Sequence, residues 1–463
     1  MKKFKTDWLA SKPVFYNEKT LEISHNINDV IDWSDIEFHP EGLNNFLDFG
    51  YSVFGQTPLK NVKFLRFSSE IYKKDNKLVI KEYPDPVLEW LDKNNSSIAE
   101  EDVLSLIKNA INNWEESFDG NIIIPTSGGY DSRLLNYLVN DKVRVRSFSY
   151  GVSFNQSLSE EALRAKKLSK ILGTTWKRIE LGDFHNYFDE WDQYFGISTH
   201  AHGMYQIEFY NKLKKYVHKG DRVLSGIIGD AWAGSIPLHK IINSKDIIQL
   251  GYTHDMSADS KFSKLRDDRK LKKKFLSENK ERINDPRFQI VVSMRLKILL
   301  LSYLMEIPEK MGWNPWSPFL DMEVALSMLS IGQERRKGRK WQKDFFKEVG
   351  LDLENIDSGG TQLNYLNHLA IEKVPLKSLD LDLLSKVIES KYIRSINRNI
   401  LEPAIPVKWI GNIYKSNKDS LGKSLIIGAL KRMGLRDPMM KSYCAYLTLK
   451  PIENILYSRN KYK

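Results

Sequence analysis

Cysteine is nearly missing from this chain: Cys444 is the only one in 463 residues. That excludes an internal disulfide and any paired-cysteine metal or sulfur-transfer site, and it points to a reducing, cytoplasmic compartment. Long apolar runs are equally scarce. The most apolar stretch, residues 290–307, is interrupted by Arg295 and Lys297, so it is expected as a buried helix and not as a membrane span. The basic start, Met1-Lys2-Lys3-Phe4-Lys5-Thr6-Asp7, is not followed by an apolar signal core. Internal repeats and low-complexity tracts are also lacking. What is present is a globular balance, with 41% hydrophobic and 11% aromatic residues, enough for one large or two ordinary domains and against broad disorder.

The net charge of +11 is unevenly placed. Residues 386–463 hold 16 Lys and Arg against 5 Asp and Glu, and the remainder holds 54 of each sign. The whole excess therefore sits in the C-terminal region. It reads as a solvated surface or a crowded anion site, or as a contact for an anionic partner such as a membrane surface, an acidic glycan or nucleic acid.

Periodicity divides the chain. Residues 62–67 and 78–83 alternate in the strand period within a β-rich, irregular first hundred residues, and residues 98–114 carry apolar side chains at helical spacing. An alternation follows, with strands expected at 121–125, 143–150, 176–181 and 222–225 and helices at 131–139, 159–172 and 206–217. Strands separated by helices imply a parallel sheet, whose ligands bind at the carboxyl ends of the strands. Beyond about residue 238 the pattern is mostly helical.

Ser127-Gly128-Gly129-Tyr130-Asp131-Ser132 lies at the first such strand end. Glycines let the backbone approach an anion, and the free N–H groups of a helix start point at it. The Walker spacing is not met, and Gly422-Lys423-Ser424 fails it too because residue 417 is Asn. Ser127 and Ser132 are candidate donors to phosphate, and Asp131 is a candidate oxygen ligand for Mg²⁺. The plain alternative is a strand-to-helix turn capped by Asp or Ser.

This stretch resembles the pyrophosphate loop, Ser-Gly-Gly-x-Asp-Ser, of enzymes that split ATP into AMP and pyrophosphate. Further segments resemble one such family, the asparagine synthetases, over about residues 115–345. Phe148-Ser149-Tyr150-Gly151 is similar to its second strand, where backbone groups frame adenine. Ser159-Glu160-Glu161-Ala162, with Ala165, and Leu172-Gly173-Thr174 resemble the helix that follows. Leu224-Ser225-Gly226-Ile227-Ile228-Gly229-Asp230-Ala231-Trp232-Ala233-Gly234 resembles its second glycine-rich motif, with Asp230 where the family has a second acidic residue beside pyrophosphate and Mg²⁺. Trp316-Ser317-Pro318-Phe319-Leu320-Asp321 resembles its Pro-Phe-Leu-Asp segment and is read as structural.

The resemblance implies an α/β fold. A parallel-sheet, adenine-nucleotide α-hydrolase-like (pyrophosphate-loop) domain from residue 98 would carry a large helical C-terminal part, with a basic tail from about 386. Residues 1–97 would be a small β-rich relic of a glutaminase domain, as Leu47-Asp48-Phe49-Gly50-Tyr51 and Thr57-Pro58-Leu59 suggest. It implies ATP and Mg²⁺ as cofactors. Asp131 and Asp230 would be catalytic and metal-binding, and Ser127, Gly128, Gly129, Asp131, Ser132, Ser149, Tyr150, Gly151, Ser225 and Gly226 would bind the nucleotide.

Three departures limit it. Residue 2 is Lys, so the family's amino-terminal cysteine nucleophile is missing. Ile227 stands where the family has a Glu suited to proton handling. No lysine is found in Asp357-Ser358-Gly359-Gly360-Thr361-Gln362, where the family neutralises charge on ATP, and neither Lys340 nor Lys343 aligns to that role. His200-Ala201-His202 borders the acceptor pocket by this resemblance. His202 is a candidate general base or substrate contact, against satisfied loop polar residues or a shared metal. Trp313 and Trp316 read as core or pocket wall.

The leading expectation is an ATP-dependent ligase that adenylates a carboxylate and passes it to an amine or ammonia. The carboxylate is a small molecule, a glycan or a peptide, and a separate glutaminase would be the partner for a free-ammonia route. A nucleotide-binding protein without ligase activity is the second expectation. A tRNA-modifying enzyme is the third, disfavoured along with nucleic acid as a partner. Contact with an anionic membrane surface or acidic substrate through the basic tail stays open.

Overall fold

The computed structural model describes residues 2–93, 97–251, 256–354, 364–402 and 437–461. Six short strands precede the main sheet. β1 (Lys3–Thr6), β5 (Ser69–Lys74) and β6 (Lys77–Glu82) form one antiparallel sheet in the order β1-β5-β6. β2 (Phe15–Asn17), β3 (Ile23–Ser24) and β4 (Val62–Phe64) form another in the order β3-β2-β4. Between them the helix Pro40–Phe49 starts on His39, whose ring accepts from the Gly42 N–H, and stops at left-handed Gly50.

The main sheet comprises β7 (Ile122–Pro125), β8 (Val145–Ser149), β9 (Thr175–Arg178) and β10 (Arg222–Val223), all parallel, in the order β10-β7-β8-β9. Ile122, Ile123 and Ile124 are all fully buried, as a central strand covered by helices on both faces requires. Helices Tyr130–Leu138 and Glu160–Leu172 make the first two crossovers, and Phe188–Phe195 and Met204–Leu213 lie between β9 and β10. Glu160–Leu172 turns Ala162, Ala165, Leu168 and Ser169 inward and ends at left-handed Gly173. Trp316 extends the sheet past β10: its N–H donates to the Val223 carbonyl and its carbonyl accepts from the Ser225 N–H.

The expected strands and helices of this unit are all present, with ends moved by a few residues. The apolar stretch 290–307 is two helices, Pro286–Leu301 and Tyr303–Lys310. At the break the Ser302 hydroxyl donates to the Leu299 carbonyl, the kind of back-bonding that bends helices. Arg295, the charge inside that stretch, is neutralised by a bidentate pair with Asp85 at 2.6 and 2.8 Å, both side chains buried. Among the described residues no helix is long and apolar enough to cross a membrane.

The N-terminal strands have a small core of their own, formed by Phe4, Val14, Tyr16, Leu65 and Ile71. Their other apolar residues enter the two large cores. Phe15, Leu43 and Phe46 join Ile123 and Trp191, while Trp8, Leu9 and Tyr51 join Ile122, Ile124 and Trp232. The final helix, Pro438–Lys461, seats Tyr443, Leu447, Ile452 and Leu456 in the first of these cores. The expected positions 357–362 and 422–424, and much of the basic tail, lie outside the described residues.

Candidate functional site

The chain runs β7, β8, β9 in one direction and then returns to place β10 on the other side of β7. The carboxyl ends of β7 and β10 therefore flank the point where strand order reverses, the usual ligand crevice of an open α/β sheet. Ser127-Gly128-Gly129 leaves β7 at that point and Ser225-Gly226 leaves β10.

The first turn cannot be built without glycine. Gly128 has φ +68°, and a Cβ there would stand 2.4 Å from Arg164 Cβ on the neighbouring crossover helix. The Gly129 N–H donates to Ser127 Oγ at 3.2 Å, and the Ser132 hydroxyl donates to the Gly129 carbonyl at 3.2 Å. The Arg133 N–H to Gly129 carbonyl bond opens the helix, so the N–H groups of Tyr130, Asp131 and Ser132 lie ahead of its ladder. Beneath the loop, buried Arg133 donates to the Gly128 carbonyl at 2.8 Å and the Leu351 carbonyl at 3.0 Å, and pairs with Glu354 at 3.0 Å. The loop is held rigid from its inner side.

The second turn closes against the first. A Cβ on Gly226 would lie 3.4 Å from Asp131 Cβ and 3.6 Å from the Ser132 nitrogen. Ser225 Oγ accepts from the Ile227 N–H at 3.3 Å. Ile228, a β-branched residue, is held at φ +54°, a strained conformation that persists only where packing imposes it. Asp230 follows, accepting from the Ser235 hydroxyl at 2.8 Å. The Trp316–Asp321 segment is structural, as expected. Phe319 fills the space under Gly229 and its carbonyl accepts from Trp232 Nε1 at 2.9 Å, while Asp321 caps the helix Met322–Ser330.

Asp131 and Asp230, far apart in the chain, thus face one another. Burial pushes the Asp131 carboxyl up to about 7, and the charge of Asp230 pushes the same way; Arg339, Gln342 and the Asp230 backbone N–H oppose them. Asp131 Oδ1 has no hydrogen-bond partner among the described residues, and Arg339 stands 3.9 Å from Oδ2. Two neighbouring carboxylates, one with a buried oxygen that has no partner among the described residues, are the donor type that suits a hard divalent cation. No group of three or more His, Cys, Asp or Glu is placed to hold a metal by itself among the described residues.

Ser149, Tyr150 and Gly151 continue β8 into the same end of the sheet. Ser149 Oγ accepts from Trp176 Nε1 at 2.9 Å. Tyr150 Oη accepts from Gln206 Nε2 at 3.3 Å, close to the Tyr205–Tyr303 hydroxyl pair. A Cβ on Gly151 would strike the Gln156 carbonyl at 2.2 Å, so the chain folds back tightly there.

Ile227 is buried in the second core, so no proton-transfer group occupies that position. His202 lies at the start of the helix Met204–Leu213, its N–H donating to His200 Nδ1 at 3.1 Å and its ring 6.0 Å from Tyr443. Burial holds the His202 imidazole down at about 3, a weak base at neutral pH. None of its described contacts is with Asp131 or Asp230.

Three residues that pattern reading passed over also reach the aspartates. Arg339 and Gln342 approach Asp131, and Lys297, half-buried on Pro286–Leu301, lies in the field of Asp230. Lys297 forms no ion pair within the described residues, and burial lowers its pKa. None of the three belongs to a motif; the one local signal is the Gly338 turn ahead of Arg339.

No family model and no curated protein matches the chain. Among solved structures, an NH3-dependent NAD synthetase from Campylobacter jejuni subsp. jejuni NCTC 11168, in complex with the nitrate ion, is similar to it at 14% identity and a TM-score of 0.25. The match covers 45% of this chain and 96% of that one. A likeness of that size decides neither fold nor function. What stands independently of it is a mixed α/β chain whose two glycine turns meet over a pair of facing carboxylates at the switch point of a parallel sheet.

Proposed function

We propose that this chain is an ATP-dependent, AMP-forming ligase of the asparagine synthetase type. A carboxylate oxygen of the substrate attacks the α-phosphorus of ATP and pyrophosphate leaves. An amine or ammonia nitrogen then attacks the acyl carbon and AMP leaves, completing an amide. The observation that carries the reading is the approach of Asp131 to Asp230 beside the N–H groups of Tyr130, Asp131 and Ser132 at the helix start.

In this reading the N–H groups at the helix start, with Ser127 and Ser132, hold and orient the pyrophosphate. Asp131 and Asp230 would hold Mg²⁺, which when bound neutralises charge on the phosphate oxygens. Ser149, Tyr150 and Gly151 frame the adenine, and Ser225 and Gly226 line the opposite wall. Most of the catalytic effect is positioning and fixed charge. The carboxylate is a small molecule, a glycan or a peptide, and ammonia would come from a separate glutaminase.

ATP–pyrophosphate exchange, screened against a carboxylate library, tests the reading: exchange must need both a carboxylate and Mg²⁺ and must be lost in Asp131→Asn. Exchange that persists in that variant removes Asp131 from the metal site. One observation favours a second reading, a nucleotide-binding protein without ligase activity: buried, apolar Ile227 leaves no proton carrier at its position. MgATP binding with no exchange for any carboxylate would select it.

A further inference from the structure

The wall facing the Ser127–Ser132 loop is built by the turn Lys337–Arg339 and the helix Lys340–Glu348 that follows it. Gly338 and Arg339 are both left-handed, with φ +61° and +58°. A left-handed arginine is strained, and such residues cluster where a side chain must be aimed. Here the guanidinium lies over the Tyr130 ring, 4.8 Å from its centroid, and 3.9 Å from Asp131 Oδ2. That distance is too long for a hydrogen bond, and Arg339 makes none among the described residues, so its five donors are uncommitted.

Gln342, one turn further on, is fully buried, yet neither amide atom has a hydrogen-bond partner of good geometry among the described residues. It approaches Asp131, whose Oδ1 is likewise unpartnered. Buried amides are normally satisfied, and the Asp131 carboxyl is the polar group this one is turned toward. Between the two, Trp341 is fully buried and its Nε1 donates to the Ala233 carbonyl at 3.1 Å. A Cβ on Gly234 would strike the Arg336 carbonyl at 2.0 Å. The wall is therefore clamped to the turn that carries Asp230, and it faces Asp131.

We infer that this wall is the second half of the phosphate grip: Arg339 binds phosphate oxygens of the nucleotide beyond the α-position, and Gln342 is the positioning residue that orients Asp131. The inference rests on the nucleotide reading above and assigns it residues that no sequence motif marks. The Arg339 fork matches phosphate oxygens, and Asp131 is the placeholder it contacts when the nucleotide is away.

Calorimetric titration of the full chain with MgATP, with AMP and with metal-free ATP tests it. Arg339→Ala is expected to weaken MgATP binding about tenfold or more while AMP binding is unchanged, and Arg339→Lys to recover part of the loss. Gln342→Leu is expected to leave metal-free ATP binding unchanged but to raise several-fold the Mg²⁺ concentration that gives half of the metal-dependent gain. Arg335→Ala, which removes an exposed ion-pairing arginine nearby, is the control. If Arg339→Ala unfolds, Arg339→Lys against the wild type carries the same comparison. Equal MgATP binding by wild type and both Arg339 variants, or parallel loss of ATP and AMP binding, overturns the inference alone. A wild-type chain that binds neither MgATP nor AMP overturns the nucleotide reading, and the inference with it.

Discussion

The Phe319 ring lies directly against Gly229: a Cβ on that glycine would stand 2.7 Å from Cε2 and 2.8 Å from Cδ2. Phe319 is fully buried and cannot swing away. Gly229→Ala therefore moves the turn, and with it Asp230. The expected cost is about 1–3 kcal/mol in urea unfolding, with loss of MgATP binding. Phe319→Leu in the same chain should restore part of both; if Gly229→Ala binds MgATP normally, the packing of this turn does not set the site.

Asp131→Asn removes the carboxylate proposed to hold Mg²⁺ but keeps the side-chain shape. Wild-type protein should melt at a higher temperature with MgATP than with ATP and chelator, because a ligand bound only by the folded state stabilises it. The variant should lose that Mg²⁺-dependent rise. A rise of equal size in both proteins would place the metal elsewhere.

Lys297 is half-buried beside Asp230 and forms no ion pair among the described residues. Lys297→Met should stabilise the ligand-free chain by about 1 kcal/mol, since a poorly compensated buried charge is replaced by an apolar side chain of similar reach. It should also reduce pyrophosphate exchange about tenfold or more, because positive charge is removed from beside Asp230 in the proposed nucleotide site. Unchanged exchange would show that Lys297 serves packing alone.

Acid should loosen the packing between the main domain and the final helix. Burial lowers His185 to about 4 and His202 to about 3, and lowers His200 well below its usual value. His185 faces the Val374 carbonyl, the Tyr443 hydroxyl and the Phe188 ring; His200 and His202 face each other, with Gly50 and Tyr443 beside them, and none of these contacts is a carboxylate. All three are neutral in the fold, while in the unfolded chain they take up protons near pH 6.5. The stability they allow is thus complete above that pH and is lost as pH falls toward 4, by about 1.4 kcal/mol per pH unit for each histidine. His185→Gln should reduce the slope of unfolding free energy against pH by one such share. An unaltered slope would mean that His185 already binds a proton in the folded chain.

Much of the site could be read locally. A glycine turn between an apolar run and a helix start encodes its own geometry, so Ser127–Ser132 and the turn at Asp230 were recognisable, and the Ile122–Ile124 run announced a central strand. Arg339, Gln342 and Lys297 were not, because an arginine in a basic turn, a glutamine in a helix and a lysine in an apolar run look the same whether they face solvent or a site. The histidine pair looked like a candidate for chemistry because spacing shows proximity but not burial. Only packing reveals that its neighbours are another imidazole and a tyrosine ring.

Sequence alone determined the alternation of strands and helices and the two glycine turns, because each depends on residues adjacent in the chain, and its single cysteine, Cys444, excluded an internal disulfide. Tertiary structure decided which charges meet. The return of β10 beside β7 brings Asp230 to Asp131, the fit of Phe319 under Gly229 fixes that turn, and the Trp341–Ala233 bond clamps Arg339 and Gln342 opposite the loop. Those contacts join segments distant in the chain, and their strength comes from burial that no local pattern records.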